Sequence, residues 1–194
     1  RRMLEMEGDS QYADVMERAL YNTVLGGMAL DGKHFFYVNP LEVHPKTLQF
    51  NHIYDHVKPV RQRWFGCACC PPNIARVLTS IGHYIYTPRE DALYVNLYIG
   101  NSVEVPVGDR TLRLRISGNY PWQDQVKVAI DSPDPLNHTL ALRLPDWCSA
   151  PQVALNGRDV AGTVKKGYLH ISRTWVEGDT LTLTMPMPVR RVYG

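Results

Sequence analysis

The sequence predicts an α + β chain in two parts, a helical part up to about residue 90 and an antiparallel β-sandwich over residues 91–194. Two observations carry that division. Apolar residues recur every three or four positions after Ser10 and again after Pro72, the period of a helix, whereas from Asp91 onward they alternate with polar residues, the period of a strand. Between the alternating runs lie Gly-, Asn-, Asp- and Pro-containing turns.

Composition bounds the answer. A chain of 194 residues with 44% hydrophobic and 21% charged content can bury one substantial core or two small ones. Its 21 Lys and Arg against 19 Asp and Glu give a net charge of +2, with no basic stripe suited to a phosphate backbone, so nucleic acid is not an expected partner. No apolar run approaches the roughly eighteen residues a membrane span needs, so no membrane partner is expected either.

In chain order, Met3, Leu4 and Met6 continue a helical pattern directly from Arg1, with no initiator Met and no signal-peptide layout. Residues 189–194 stop without a closing element, so the chain reads as a piece of a longer polypeptide. Ser10 is the expected N-cap of an amphipathic helix whose apolar positions are Tyr12, Val15, Met16, Ala19, Leu20, Thr23 and Val24, ending near Gly26-Gly27. Glu17 falls on its polar side, in reach of Arg18 or Arg2. Residues 28–63 are aromatic and His-rich, hold Pro40, Pro45 and Pro59, and keep no period; a connection of this length is usually functional. Within it, Glu42 and His44 share one face of an extended segment, while His34, His44, His52, His56 and, further on, His83 match no compact metal pattern. Trp64 is expected as a buried anchor. A second helix starts at Pro71-Pro72, carries Ile74, Val77, Leu78, Ile81 and Ile85 on one face, and stops by Thr87-Pro88.

The strand runs follow: Leu93/Val95/Leu97, Leu112/Leu114/Ile116, Val126/Val128/Ile130, Leu140/Leu142/Leu144, Val153/Leu155, Leu169/Ile171 and Leu181/Leu183/Met185. Turn signals such as Gly108-Asp109, Asn156-Gly157 and Lys166-Gly167 separate them, and no clustered carboxylates or ligand spacings occur there, so this half is expected to carry no catalytic group. Asn137-His138-Thr139 matches a glycosylation sequon by chance.

Chemistry concentrates in Cys67-Ala68-Cys69-Cys70-Pro71-Pro72-Asn73. Adjacent Cys69 and Cys70 cannot pair without a strained ring, but both thiolates can reach one soft metal ion. From the residues alone a metal or thiolate site, a structural zinc knot and buried free thiols all stay open. Cys67 is expected as a packed small residue and Cys148, beside Trp147, as a core residue. The clustering is unlike a disulfide framework and suits reducing conditions or metal loading.

Trp64-Phe65-Gly66-Cys67-Ala68-Cys69-Cys70-Pro71-Pro72-Asn73-Ile74-Ala75-Arg76, with Glu17-Arg18-Ala19-Leu20-Tyr21-Asn22 and Phe36-Tyr37-Val38-Asn39-Pro40-Leu41 upstream, resembles the zinc-dependent β-L-arabinofuranosidases of glycoside hydrolase family 127 over essentially the whole chain. The resemblance implies that residues 1–90 are the last helices of an (α/α)6 barrel, with helices at 10–26 and 72–86. It implies that Cys69 is the nucleophile of a retaining mechanism and that Cys69 and Cys70 ligate Zn2+. The remaining Glu and Cys ligands and the acid/base Glu would precede Arg1 and are not in this chain. Tyr37 and Asn39 are candidates to stack on and hydrogen-bond a sugar. The implied partners are an arabinofuranoside oligosaccharide, the rest of the same polypeptide and, as one allowed assembly, a second copy; the implied compartment is the bacterial cytoplasm, with secretion left open.

Two rival readings remain: a carbohydrate-binding or structural β-sandwich module using exposed Tyr94, Tyr98, Trp122 and Trp175, and a redox or structural metal site without glycosidase activity.

Overall fold

In the computed structural model the described residues are 1–39, 42–44, 46, 55–67 and 72–191. Cys69, Cys70 and His52 lie outside them. Two compact units are present, Arg1–Asp14 with His83–Gly194, and Val15–Gly82. Among the described residues the chain is mixed α/β, with few helices and two sheets. Among the described residues, no helix is long and apolar enough to cross a membrane.

The helices are α1 (Arg2–Glu7), α2 (Ser10–Arg18), continued by a π-helical segment (Ala19–Val24), then α3 (Pro72–Thr79) and α4 (Gly82–Ile85). Asp9, not Ser10, caps α2: its Oδ1 accepts the Gln11 backbone N–H at 3.0 Å, while the Ser10 N–H donates to the Lys166 carbonyl. The buried stripe of α2 also differs from the expected one. Ser10, Ala13, Asp14, Glu17 and Leu20 are buried, whereas Val15 is 63% exposed. The period is helical, but the side that is covered is the polar side, so Glu17 is buried rather than displayed to solvent. At Asp14 the reason is tertiary: Arg143, far along the chain, supplies the opposite charge.

The strands are β1 (Tyr86–Pro88), β2 (Ala92–Val95), β3 (Asn101–Val107), β4 (Arg110–Gly118), β5 (Gln125–Ile130), β6 (Leu136–Arg143), β7 (Gln152–Leu155), β8 (Arg158–Asp159), β9 (Thr163–Lys165), β10 (Tyr168–Trp175) and β11 (Thr180–Thr184). They form a five-stranded sheet, β1-β2-β6-β10-β9, and a six-stranded sheet, β3-β4-β5-β11-β7-β8. In the larger sheet Ile116, Val128, Leu181 and Leu155 pair in one cross-strand row, and the first three are at most 3% exposed. Arg113 and Arg115 alternate outward and meet Glu104 and Asp131. Asn156-Gly157 and Lys166-Gly167 have positive φ at both positions, which closes tight hairpins whose twist matches the strands.

One pairing departs from the antiparallel expectation: β2 runs parallel to β6, with Leu93 opposite Leu140 and Val95 opposite Leu142. Period-two alternation is the same for either direction, so the sequence could not distinguish them, and the chain between β2 and β6 passes through the other sheet before returning. Strands β1, β3, β8 and β9 went unseen: β1, β8 and β9 have three residues or fewer, and β3 carries Pro106.

The five-stranded sheet is buried on both faces around β6. Leu140 and Leu142 face one side; Ala141 and Arg143 face the other, and all four are 0% exposed. That second face is covered by the N-terminal residues of the same unit. Arg143 donates from NH1 to Asp14 Oδ1 and from Nε to the Asn96 carbonyl; the Tyr98 hydroxyl donates to the Arg143 carbonyl, and the Tyr168 hydroxyl to Asn96 Oδ1 at 2.8 Å. Lys166 Nζ reaches the Glu7 carbonyl at 2.7 Å and Arg89 the Glu5 carbonyl at 3.0 Å. At Gly167, with φ +73°, an added Cβ would overlap the Ser10 side chain, so the close approach requires glycine. Burial raises the Asp14 carboxyl from its ordinary pKa, and Arg143 opposes that by charge and hydrogen bond.

The exposed aromatic face that a binding module would need is not formed. Tyr98 is 2% and Trp175 0% exposed, and Trp175 Nε1 donates to the His138 carbonyl. Tyr94 is half-buried, with its ring edge-on to Tyr168 and His170. Of the four candidates only Trp122, at 83%, stands in solvent. Cys148 is buried, as expected.

Candidate functional site

Within Val15–Gly82 the long aromatic connection is ordered by a few backbone pairings. Phe35 exchanges two hydrogen bonds with Gln62, both 2.9 Å, and bridges to Met28 on its other side; the Phe36 N–H donates to the Gly27 carbonyl at 2.8 Å. Arg61 locks the same turn. Its NH2 donates to the Gly26 carbonyl, its guanidinium lies 4.7 Å above the Phe36 ring, and its buried Nε has no partner among the described residues. Phe65, 9% exposed, packs between Phe35 and Tyr37 at ring separations of 5.6 and 5.3 Å. His56 meets Tyr37 edge-on at 5.7 Å.

These contacts leave two clefts that share Tyr37 as a common wall. The smaller, about 210 Å3, is lined by Thr23, Tyr37, Asn39 and, from α3, Asn73, Ile74 and Val77. Asn39 is fixed there because its Nδ2 donates to the Thr23 carbonyl at 2.7 Å, which turns its Oδ1 into the open acceptor. Asn73 Oδ1 accepts from Arg76 NH1 at 2.9 Å, which leaves its Nδ2 as a donor. An acceptor and a donor in one cleft complement the hydroxyls of a small polyol. The larger cleft, about 600 Å3, is lined by Tyr37, Asp55, His56, Lys58, Trp64 and Cys67 among others.

The structure therefore brings Tyr37 and Asn39 together. Glu42 Oε1 and His44 Nε2 lie 2.9 Å apart on the surface, and His34 contacts Asp31 in a surface turn. Two expectations are corrected. Trp64 is 68% exposed rather than a buried anchor, because its neighbour Phe65 takes the buried place in the aromatic cluster. Cys67 is an exposed free thiol on the larger cleft, not a packed residue. Sequence reasoning passed over Thr23, Asp55, His56, Lys58 and Asn73 as lining residues. Asn73 carried the one available signal, an amide in the first turn of a helix directly after the cysteine cluster.

Cys69 and Cys70 lie outside the described residues; of the described residues near them in sequence, Cys67 lines the larger cleft and Asn73 the smaller. Three thiols in four residues are a donor set whose chemistry suits a soft ion such as zinc. Among the described residues no group of three or more His, Cys, Asp or Glu could hold a metal ion.

Comparison with known proteins decides the family. Residues 1–83 match the catalytic domain, and residues 92–187 the middle domain, of the GH127 β-L-arabinofuranosidases. The chain belongs to glycoside hydrolase family 127. This GH127 chain is 35% identical over 193 residues to the non-reducing end β-L-arabinofuranosidase of Bifidobacterium longum subsp. longum, a match covering 96% of the chain but 28% of that protein. Among solved structures, the GH127 β-L-arabinofuranosidase Ara127N of Geobacillus stearothermophilus T6 is 52% identical with a TM-score of 0.87, over 99% of this chain and 30% of that one. Another GH127 β-arabinofuranosidase is 35% identical with a TM-score of 0.83, over 96% of this chain and 30% of its own. The GH127 chain thus spans about 30% of the length of these relatives.

Proposed function

We propose that this chain is part of a retaining β-L-arabinofuranosidase that releases arabinose from arabinooligosaccharides, with Cys69 as nucleophile and Cys69 and Cys70 as zinc ligands. The observation that carries the reading is the match of residues 1–83 to the GH127 catalytic domain, the stretch that holds both the cysteine cluster and the Tyr37 clefts. In this reading residues 1–90 are the last helices of an (α/α)6 barrel and residues 91–194 a β-sandwich. Support for the sandwich comes from the two sheets, each of which buries an apolar face that needs cover.

The smaller cleft has room for a single pentose, with the Tyr37 ring as a wall and Asn39 Oδ1 and Asn73 Nδ2 set to take its hydroxyls. The Cys69 thiolate attacks the anomeric carbon. The bond to the leaving oxygen breaks as a general acid protonates that oxygen, and a thioglycoside forms on Cys69. Water, deprotonated by the same acid/base group, then displaces the sulfur, which leaves as thiolate. Two displacements restore the original configuration. The acid/base carboxylate of this reading, a Glu, precedes Arg1. A free thiol is mostly protonated at neutral pH, and the start of α3 directly after the cysteines favours the charged form. Zinc held by Cys69 and Cys70 would supply thiolate stabilisation at neutral pH.

Proton NMR of the full-length protein acting on a methyl β-L-arabinofuranoside tests the reading. The first product expected is the β-anomer of L-arabinose, and Cys69→Ser is expected to lower turnover by several powers of ten. First formation of the α-anomer, or a Cys69→Ser variant with full activity, would contradict it.

A further inference from the structure

The compact units do not divide where the two family matches do. Residues 1–83 match the catalytic domain, yet Arg1–Asp14 packs with the sheets, so the division falls inside α2, between Asp14 and Val15. One helix therefore begins in the sheet-bearing unit and continues, through the π-helical segment Ala19–Val24, in the unit that holds Tyr37 and Asn39.

Its first end is clamped. The Ser10 N–H donates to the Lys166 carbonyl at 3.0 Å, and the Ser10 side chain fills the space that a Cβ at Gly167 would need. One turn further, Asp14 Oδ1 accepts from Arg143 Nη1 and from the Asp146 backbone N–H at 3.4 Å. Arg143 is fixed in its turn, because its Nε donates to the Asn96 carbonyl and its own carbonyl accepts the Tyr98 hydroxyl. A planar guanidinium that is 0% exposed and held at two nitrogens has one orientation. It sets the rotation of α2 about its axis as well as its height.

The other end of the same helix holds a sugar-facing group. The Thr23 carbonyl accepts Asn39 Nδ2 at 2.7 Å, and that bond leaves Asn39 Oδ1 as the open acceptor. Each residue of a helix is turned about 100° from the one before, with hydrogen bonds resisting twist along its length, so a rotation at Asp14 reappears at Thr23.

We propose that Arg143 is a positioning residue for the arabinofuranose site: through Asp14 it fixes the rotation of α2, and through the Thr23 carbonyl it fixes Asn39. The proposal rests on the glycosidase reading above and gives the middle domain a part in aiming a catalytic-domain side chain.

Two measurements on the full-length protein test it. The variant Asp14→Leu with Arg143→Met replaces the buried pair by apolar groups, an exchange that commonly preserves stability, and its urea midpoint checks this. Its kcat/KM on a methyl β-L-arabinofuranoside should fall about tenfold, and by less than about twofold when Asn39 is already Ala, because the pair acts through that amide. No loss, or the same loss in both backgrounds, would overturn the proposal. If the midpoint falls, Arg143→Lys takes the pair's place in the same cycle; it keeps the charge but loses the fork that serves Asp14 and the Asn96 carbonyl together. Hydrogen exchange read by mass spectrometry needs no substrate. Faster exchange in the paired variant should spread from residues 10–18 to residues 19–27 and 35–39, and faster exchange confined to residues 10–18 would overturn the proposal. If the wild type hydrolyses no β-L-arabinofuranoside, the glycosidase reading fails by itself, and the exchange pattern still decides whether Arg143 holds Thr23 and Asn39 in place.

Discussion

Asp14 and Arg143 pair inside an apolar sheet, with Arg143 Nε donating to the Asn96 carbonyl, the Tyr98 hydroxyl to the Arg143 carbonyl and the Tyr168 hydroxyl to Asn96 Oδ1. Arg143 is 0% and the Asp14 side chain 6% exposed, so removing one partner strands a charge away from water. Asp14→Ala should therefore cost about 3–5 kcal/mol of stability, read from urea unfolding of the unit's sheet signal; a loss under about 1 kcal/mol would show that water reaches Arg143. The sequence did not reveal this pair. It placed the apolar side of α2 inward, and what tertiary structure buries instead is Ser10, Asp14 and Glu17. Charge pairing across 129 residues leaves no local period to read. The same holds for Trp64 and Phe65, where two neighbouring aromatics competed for one buried place and only the cluster with Phe35 and Tyr37 decides which wins.

The strands were the most legible elements, because alternation and turn chemistry act locally. Leu112/Leu114/Ile116 and Val126/Val128/Ile130 are buried as their spacing requires, and Asn156-Gly157 and Lys166-Gly167 turn where the residues permit positive φ. Direction of pairing was not legible, as the parallel β2 and β6 show. Nor was the break of α2 into a π-helical segment at Ala19, which no residue type signals. Strands β6 and β10 carry a consequence for pH. His138 and His170 are both held below the ordinary histidine pKa, His138 by burial against the pull of Asp91, His170 by burial and Lys165 against the same Asp91. Arg173 stands opposite His138 in the register, and Tyr94 and Tyr168 pack beside His170 or its neighbour ring. The unfolded chain thus binds more protons than the folded one below about pH 6.5, so stability is full above that value and is lost as pH falls through it toward the folded pKa. Urea midpoints at about pH 7.5 and about pH 5.5 should differ in that direction, and His138→Gln with His170→Gln should flatten the difference. An unchanged pH slope in the double variant would assign the loss to carboxylates instead.

For the whole molecule, the family was readable from one short segment. Cys67 to Asn73 and the Phe36–Leu41 stretch pointed to glycoside hydrolase family 127, and both domain matches agree with it. The described residues add what a motif cannot, namely that Tyr37 and Asn39 share a cleft with Asn73, and that Tyr37 also lines a larger cleft. Cys69 and Cys70 were legible only as chemistry, through thiols too close together for a disulfide and well placed for one soft ion. The central claim, that the first of that pair carries the sugar, is tested most directly by treating the full-length protein with an arabinofuranose-configured cyclophellitol-type electrophile and mapping the labelled peptide. The account predicts one label per chain, on Cys69, and none after Cys69→Ser. A label on Cys70, on Cys67 or on a carboxylate, with Cys69 unmodified, would contradict it.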